Sequence, residues 1–268
     1  MQCSGYNRLV KKYLYRLIAF SLSLSIFHSV AAAEEDPKLN EILQKHLDAM
    51  GGLYNWNLVE SIRLNGTIER DGQTVDIVIV KKRPNQIRAT VTVPIPNKDD
   101  AYFQVIRAHD GKTAWTATRL AGAPDMVKQE LPAEAAAELL ADAGVLPPLI
   151  KFWREGAQLE LISPKVINGV TNYSIRVSGK NLPSGYTFYI SGEDHLVTQY
   201  ESTHPEQGVT QTTLGSYTKA HDVLIPTHNT VQATQTGQSV MTTNSIQIGV
   251  GIYEEYFEVG ESIGTAEL

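Results

Sequence analysis

From about residue 58 to residue 250 the chain is dominated by short runs in which apolar and polar residues alternate. A period of two puts successive side chains on opposite faces of a strand, so a chain written this way must build a sheet. The runs lie near 58–69, 73–82, 86–93, 101–108 and 112–118, then near 158–167, 171–178, 185–191, 195–203, 208–217, 225–234 and 238–250. Turn chemistries such as "DG", "RPN", "NG", "SGED" and "TG" separate them. Ile87, Ala89, Val91 and Val93 alternate with Arg88, Thr90 and Thr92; Val75, Ile77 and Ile79 form a similar series, which Lys81 and Arg83 continue at the same parity. The expectation is one antiparallel meander of about a dozen strands.

Helical periodicity enters at three places. Leu39, Ile42, Leu43, His46, Leu47 and Met50 share one stripe, after Asp36-Pro37 and before Gly51-Gly52. His46 reads there as a half-buried helix histidine. "LPAEAAAELLADAG" (131–144) is a strong helix former, and "LPPLIKFWREG" (146–156) reads as a second short helix with Pro at its start. Leu139, Leu140, Leu149, Ile150, Phe152 and Trp153 supply much apolar surface in this interruption. They are either ordinary core or the cover of a pocket.

A sheet this long must curl, split or close. Packed as a sandwich, its inner faces would fill each other. Curled into an incomplete barrel, it would need the helices to cover its open side, enclosing an apolar cavity able to take an apolar ligand. Periodicity leaves both options open.

The first 33 residues read as a cleavable export signal. Arg8, Lys11, Lys12 and Arg16 precede a 14-residue apolar stretch, Leu17 to Val30, followed by Ala31-Ala32-Ala33 and "EEDP". The rival reading, a membrane anchor, needs about 20 apolar residues. On the export reading Cys3, the single cysteine, leaves with the signal, and residues 34–268 form one disulfide-free domain. Removing four of the 23 basic residues leaves 19 against 29 acids, a balance of −10. Such a chain repels phosphate backbones and anionic membrane surfaces, so no nucleic-acid partner is expected.

No catalytic constellation stands out. Histidines 109, 195, 204, 221 and 228 are scattered, no metal-ligand spacing occurs, and there is no G-x-S-x-G elbow. "DGKTAW" carries the Gly-Lys-Thr of a phosphate loop, but the glycine required five residues before Gly111 is Ile106. Asp110-Gly111 fits a hairpin turn, with Trp115 on the face of Thr113 and Ala117. Neither an enzyme nor a cofactor or metal site is expected.

The segments "KKRPNQIR" and "HDGKTAW", the meander around them and the opening "ILQKHLDAMGGLYNWNLVESIRLNGTI" resemble the LolA-like family of periplasmic carriers and sorting proteins for outer-membrane lipoproteins. The resemblance spans most of residues 38–257. It implies an unclosed antiparallel β-barrel with a helical lid over a hydrophobic cavity, and a periplasmic location. Its cargo would be lipoprotein acyl chains or phospholipid, exchanged with membrane-bound donor and acceptor proteins. On this reading the cavity lining comprises Val75, Ile77, Ile79, Ile87, Val91, Val93, Trp115, Leu139, Leu140, Ile150, Phe152 and Trp153. Arg83 occupies the position whose arginine ties lid to barrel in the family; the alternative is a surface cation at a strand end. The family carrier places an aromatic residue where Ile87 stands, which sets this chain apart from the dedicated carrier. An envelope-sensing domain of the same fold and a structural domain with a filled core are the other readings.

Overall fold

The computed structural model describes residues 36–258 apart from 97, 99–100, 124–126, 180–181, 183–184 and 205–206. The expected signal at residues 1–33 lies outside the described residues. Helices α1 (Pro37–Ala49) and α2 (Gly52–Asn57) lead into strands β1 (Ser61–Arg70), β2 (Gln73–Lys82), β3 (Gln86–Pro94), β4 (Tyr102–His109), β5 (Ala114–Leu120) and β6 (Val127–Glu130). Helices α3 (Ala133–Asp142) and α4 (Pro148–Arg154) follow. The chain then returns to strands with β7 (Gln158–Ile167), β8 (Val170–Ser178), β9 (Tyr186–Ser191), β10 (Val197–His204), β11 (Gly208–Ala220), β12 (Val223–Ala233) and β13 (Gly237–Ile248), and ends in a 3-10 turn at Glu254–Tyr256.

All thirteen strands form one sheet, ordered β6-β5-β4-β3-β2-β1-β13-β12-β11-β10-β9-β8-β7. The first and last strands pair, Ile62 opposite Ile248 and Glu69 opposite Val240. The gap in the barrel therefore falls between β6 and β7, where α3 and α4 interrupt the meander. Among the described residues no ladder joins β6 to β7, the two ends of the order, and the two helices lie in the segment that connects them. A bulge at Asn65/Gly66 bends β1 against β13. Glycine is required there, because a Cβ would sit 2.1 Å from the Thr242 carbonyl oxygen.

The helices cover the inner face. In α1 the stripe Leu39, Ile42, Leu43, His46 and Leu47 is buried. Leu39, Ile42 and Leu43 pack with Ile175, Val177, Phe188 and Ile190 of β8 and β9. One turn later Leu47 and Met50 join Trp56, Val59, Ile62, Ile150 and Val223 in a second cluster. Helix α3 lies against β3, β4 and β5.

Two departures from the sequence reading are local. The glycine pair does not simply end the first helix. Gly51, at φ 109°, turns the chain, and α2 starts at Gly52. The short strand β6 was outside the expected set; four residues are too few to show alternation. Among the described residues no helix is long and apolar enough to cross a membrane.

The outer face of β1–β5 is also covered, by the segment after β13. Ser61 Oγ donates to the Val250 carbonyl at 2.6 Å, and Lys82 Nζ to that of Ile252 at 2.9 Å. Lys82 and Gln86 both reach the Glu254 carboxylate. Arg88 donates to the Tyr256 carbonyl at 2.7 Å and lies 4.4 Å from that tyrosine's ring. Trp115 Nε1 donates to the Phe257 carbonyl at 2.8 Å, and Phe257 is fully buried. This strap holds down the cluster Ile106, Ala108, Trp115 and Ala117. Removing a buried phenyl ring leaves a cavity, so Phe257→Ala is expected to lower unfolding free energy by about 3–5 kcal/mol in urea denaturation. A loss below about 1 kcal/mol would show that the strap is not docked.

Candidate functional site

The main cavity is bounded on one side by strands and on the other by helices. Ile62 and Leu64 of β1, Ile79 and Lys81 of β2 and Ile87 of β3 line it from the first half of the sheet. Phe188, Tyr200, Thr212, Leu214, Val231, Met241 and Thr243 line it from the second half. His46, Met50 and Trp56 close it from α1 and α2, and Val145 to Leu149 from the α3–α4 connection and α4. Its volume is about 300 Å³, at the lower end of ligand pockets, roughly 300–1,000 Å³. A second recess of about 170 Å³ lies under α3, and Asp142, Pro148 and Tyr200 border both spaces.

The expected lining residues divide accordingly. Ile79 and Ile87 reach the main cavity. Leu139 and Phe152 line the recess under α3, and Leu140 borders a third recess with Phe152 and Lys151. Ile150 is core, 1% exposed, and Trp153 packs beside both helix-covered clusters. Val75, Ile77, Val91 and Val93 share the inner face with Ile79 and Ile87 through the register Ile77↔Val91 and Ile79↔Ala89, but they lie beyond the cavity wall.

Trp115 is on the other side of the sheet. It pairs with Ala108, which pairs with Arg88, which pairs with Val80, and these alternate with the cavity series. The strap makes that outer face a second dry surface, which is why a buried tryptophan there does not mark the cavity.

Arg83 meets backbone carbonyls at the end of α2 rather than of the 131–156 helices. Its Nε donates to the Val59 carbonyl and its guanidinium to the Trp56 carbonyl, both at 2.8 Å. These carbonyls lie at and just beyond the C-terminus of α2, where the helix dipole favours a cation; that of Trp56 also accepts from the Val59 amide at 3.1 Å. Trp56 Nε1 in turn donates to Met50 at 3.0 Å, fixing α2 over the cavity.

The corresponding group for α3 is Lys151, which the sequence reading passed over. Its Nζ donates to the carbonyls of Leu140 at 2.5 Å, Ala141 at 3.3 Å and Ala143 at 2.9 Å. The side chain is buried, 6% exposed, and desolvation lowers its pKa from the usual lysine value. One lysine thus closes the end of α3 from within α4. Periodicity shows only a lysine in a short helix; the three carbonyls come from a helix end about ten residues earlier, and that of Leu140 also accepts from the Ala143 amide.

His46 is more deeply set than the half-buried position expected. It is 1% exposed, and its Nδ1 meets the His195 carbonyl at 2.8 Å. A carbonyl only accepts, so Nδ1 carries the proton and Nε2 is bare; Nε2 has no hydrogen-bond partner among the described residues. Burial pushes its pKa down to about 4. Burial likewise raises the Tyr200 phenol to about 12, with a further contribution from Asp142.

Two predictions follow from these groups. Arg83→Leu is expected to speed amide exchange in residues 52–58 and leave α3 unchanged, whereas Lys151→Met does the reverse. Each charged hydrogen bond lost is worth about 1.5–3 kcal/mol, so local protection should fall at least tenfold; exchange measured by mass spectrometry that rises equally in both helices would contradict separate latches. The second concerns pH. Because His46 stays neutral in the fold while its unfolded pKa is about 6.5, the unfolded chain binds the extra proton first on acidification. Its contribution is complete above about pH 6.5 and is lost as pH falls toward about 4, up to about 3 kcal/mol. The stability difference between wild type and His46→Gln should shrink across that window in urea titrations; a constant difference would remove His46 as the cause.

No protein-family profile and no curated protein matches this sequence. Solved structures do match in shape. A DUF1329 family protein from Desulfovibrio piger superposes with TM-score 0.55 at 11% identity, covering 82% of this chain and 97% of its own. A LolA superfamily protein from Nitrosomonas europaea gives 0.54 at 12% identity, covering 82% and 96%. A domain from Vibrio parahaemolyticus, provisionally assigned to outer-membrane lipoprotein sorting, gives 0.52 at 12% identity, covering 81% and 94%. An unclosed thirteen-stranded antiparallel sheet covered by short helices, with these neighbours, is a LolA-like fold.

Proposed function

We propose that this protein is a non-catalytic periplasmic carrier that holds an acyl chain of a lipoprotein or lipid in the main cavity. The observation that carries the reading is the roughly 300 Å³ space between the inner face and the helices, walled mainly by Ile, Leu, Val, Met and aromatic side chains. Water gains little from such a wall, and a hydrocarbon tail gains about 0.8 kcal/mol for each methylene removed from water. Ten methylenes would contribute roughly 8 kcal/mol. Immobilising the ligand and ordering the helices offsets several kcal/mol of that, which leaves binding firm enough to carry and weak enough to release.

Loading requires the cover to move. The two covering segments are held by few, separable groups: Arg83 on α2 and Lys151 on α3. Opening either exposes the cavity without breaking the sheet. The donor and acceptor would be membrane-bound proteins that compete for the tail.

Displacement of an environment-sensitive acyl fluorophore tests the proposal. Wild-type protein should bind it saturably. Ile79→Trp and Leu214→Trp, which fill the cavity from opposite walls, should each weaken binding at least about tenfold while the far-ultraviolet spectrum is unchanged. Absence of saturable binding, or binding indifferent to both substitutions, would refute carriage.

A further inference from the structure

We propose that the cavity selects an amphiphile with an acidic head group, a carboxylate or a phosphate ester, and that Lys81 is the residue that meets it. This rests on the carrier reading and specifies its cargo.

Lys81 is the odd member of an otherwise greasy series. On β2 it follows Ile79 along the same wall, and its cross-strand partners are Ile62 on β1 and Ile87 on β3, both lining the same cavity. Among the described residues no hydrogen bond or ion pair within 4 Å joins its Nζ to the protein. A strand position walled by isoleucines would normally take another apolar residue. An ammonium there costs desolvation free energy with no direct partner to offset it. Burial accordingly lowers its pKa from the usual lysine value, against an upward pull from Asp142.

The other ionisable groups nearby are committed elsewhere or face out. The Lys151 ammonium is used on three carbonyls. His109 accepts from the Gly111 amide at 3.0 Å. His46 is neutral and bound to His195. Asp142, at the end of α3, is exposed and also borders the cavity, so it marks where the space meets water and can keep its own hydration. The arrangement is an uncommitted cation coupled electrostatically to the exposed Asp142, in a cavity whose other walls include Leu214, Val231 and Met241. A single tail with an anionic end fits that arrangement: tail against those walls, head against Lys81.

Competition against a neutral acyl fluorophore at neutral pH provides the test, using palmitate, palmitoyl lysophosphatidic acid and hexadecanol, each below its critical micelle concentration. Lys81→Met should weaken an acidic ligand on the order of tenfold to a hundredfold and hexadecanol less than about twofold. Lys81→Arg should restore acid binding, and Asp142→Asn should tighten it without affecting the alcohol. A response confined to palmitate assigns the carboxylate, and one confined to lysophosphatidic acid assigns the phosphate. Equal weakening of acid and alcohol by Lys81→Met, or no change in either, would overturn the head-group role while leaving carriage intact. Failure of all three ligands to displace the probe from wild type would instead count against carriage itself.

Discussion

A single sheet has two faces to remove from water and, among the described residues, no second sheet to lay against either. Thirteen strands in one continuous antiparallel order, with β1 closed onto β13, leave the inner face of β1–β3 and β9–β13 to be buried by whatever the chain can carry across it. What it carries is four short helices of thirteen, six, ten and seven residues. Elements that short do not cover a concave surface completely, and the remainder is the cavity. The functional reading therefore depends on a mismatch between a long sheet and a small helical cover, rather than on any one side chain.

The cover is also weakly autonomous. Helices of six to ten residues are marginal in isolation. They persist because their ends are tied to the body by two cations, half-buried Arg83 and buried Lys151, and because their apolar stripes have the sheet to pack on. Arg83 reaches α2 from the end of β2, and Lys151 reaches α3 from α4. Both attachments act on helix C-terminal carbonyls, the groups a short helix cannot satisfy for itself. Local opening of either helix then needs to break only a few hydrogen bonds and expose part of a face, well short of global unfolding.

Much of this is written plainly in the residues. The alternation at 75–79 and 87–93 gives the inner face directly, and the Ala-Glu-Leu-rich stretch at 131–144 gives the helical interruption that the topology places at the barrel gap. Arg83 sits at the parity that points it to the helix-covered side. Trp115 shows the limit. Alternation separates two faces but does not say how many are dry. The outer face of β1–β5 is covered as well, by the aperiodic segment after the last strand that ends in Tyr256 and Phe257. A tryptophan hidden there is indistinguishable by pattern from one inside. Lys151 and His46 were obscure for a related reason: each is defined by a partner carbonyl in another element, and such pairings leave no trace in local spacing. The same holds for Lys81, whose interest lies in having no hydrogen-bond or ion-pair partner among the described residues.

The central claim is that the inner face is partly vacant and takes a hydrocarbon tail. The most direct measurement is photo-crosslinking with a fatty acid bearing a diazirine near its methyl end, with the labelled positions read by peptide mass spectrometry. The account predicts saturable labelling of inner-wall residues deep in the cavity, Leu214, Val231 and Met241 above all, competed away by unlabelled ligand. Labelling that falls instead on the outer face around Trp115 and Phe257, or that spreads without saturation, would contradict it.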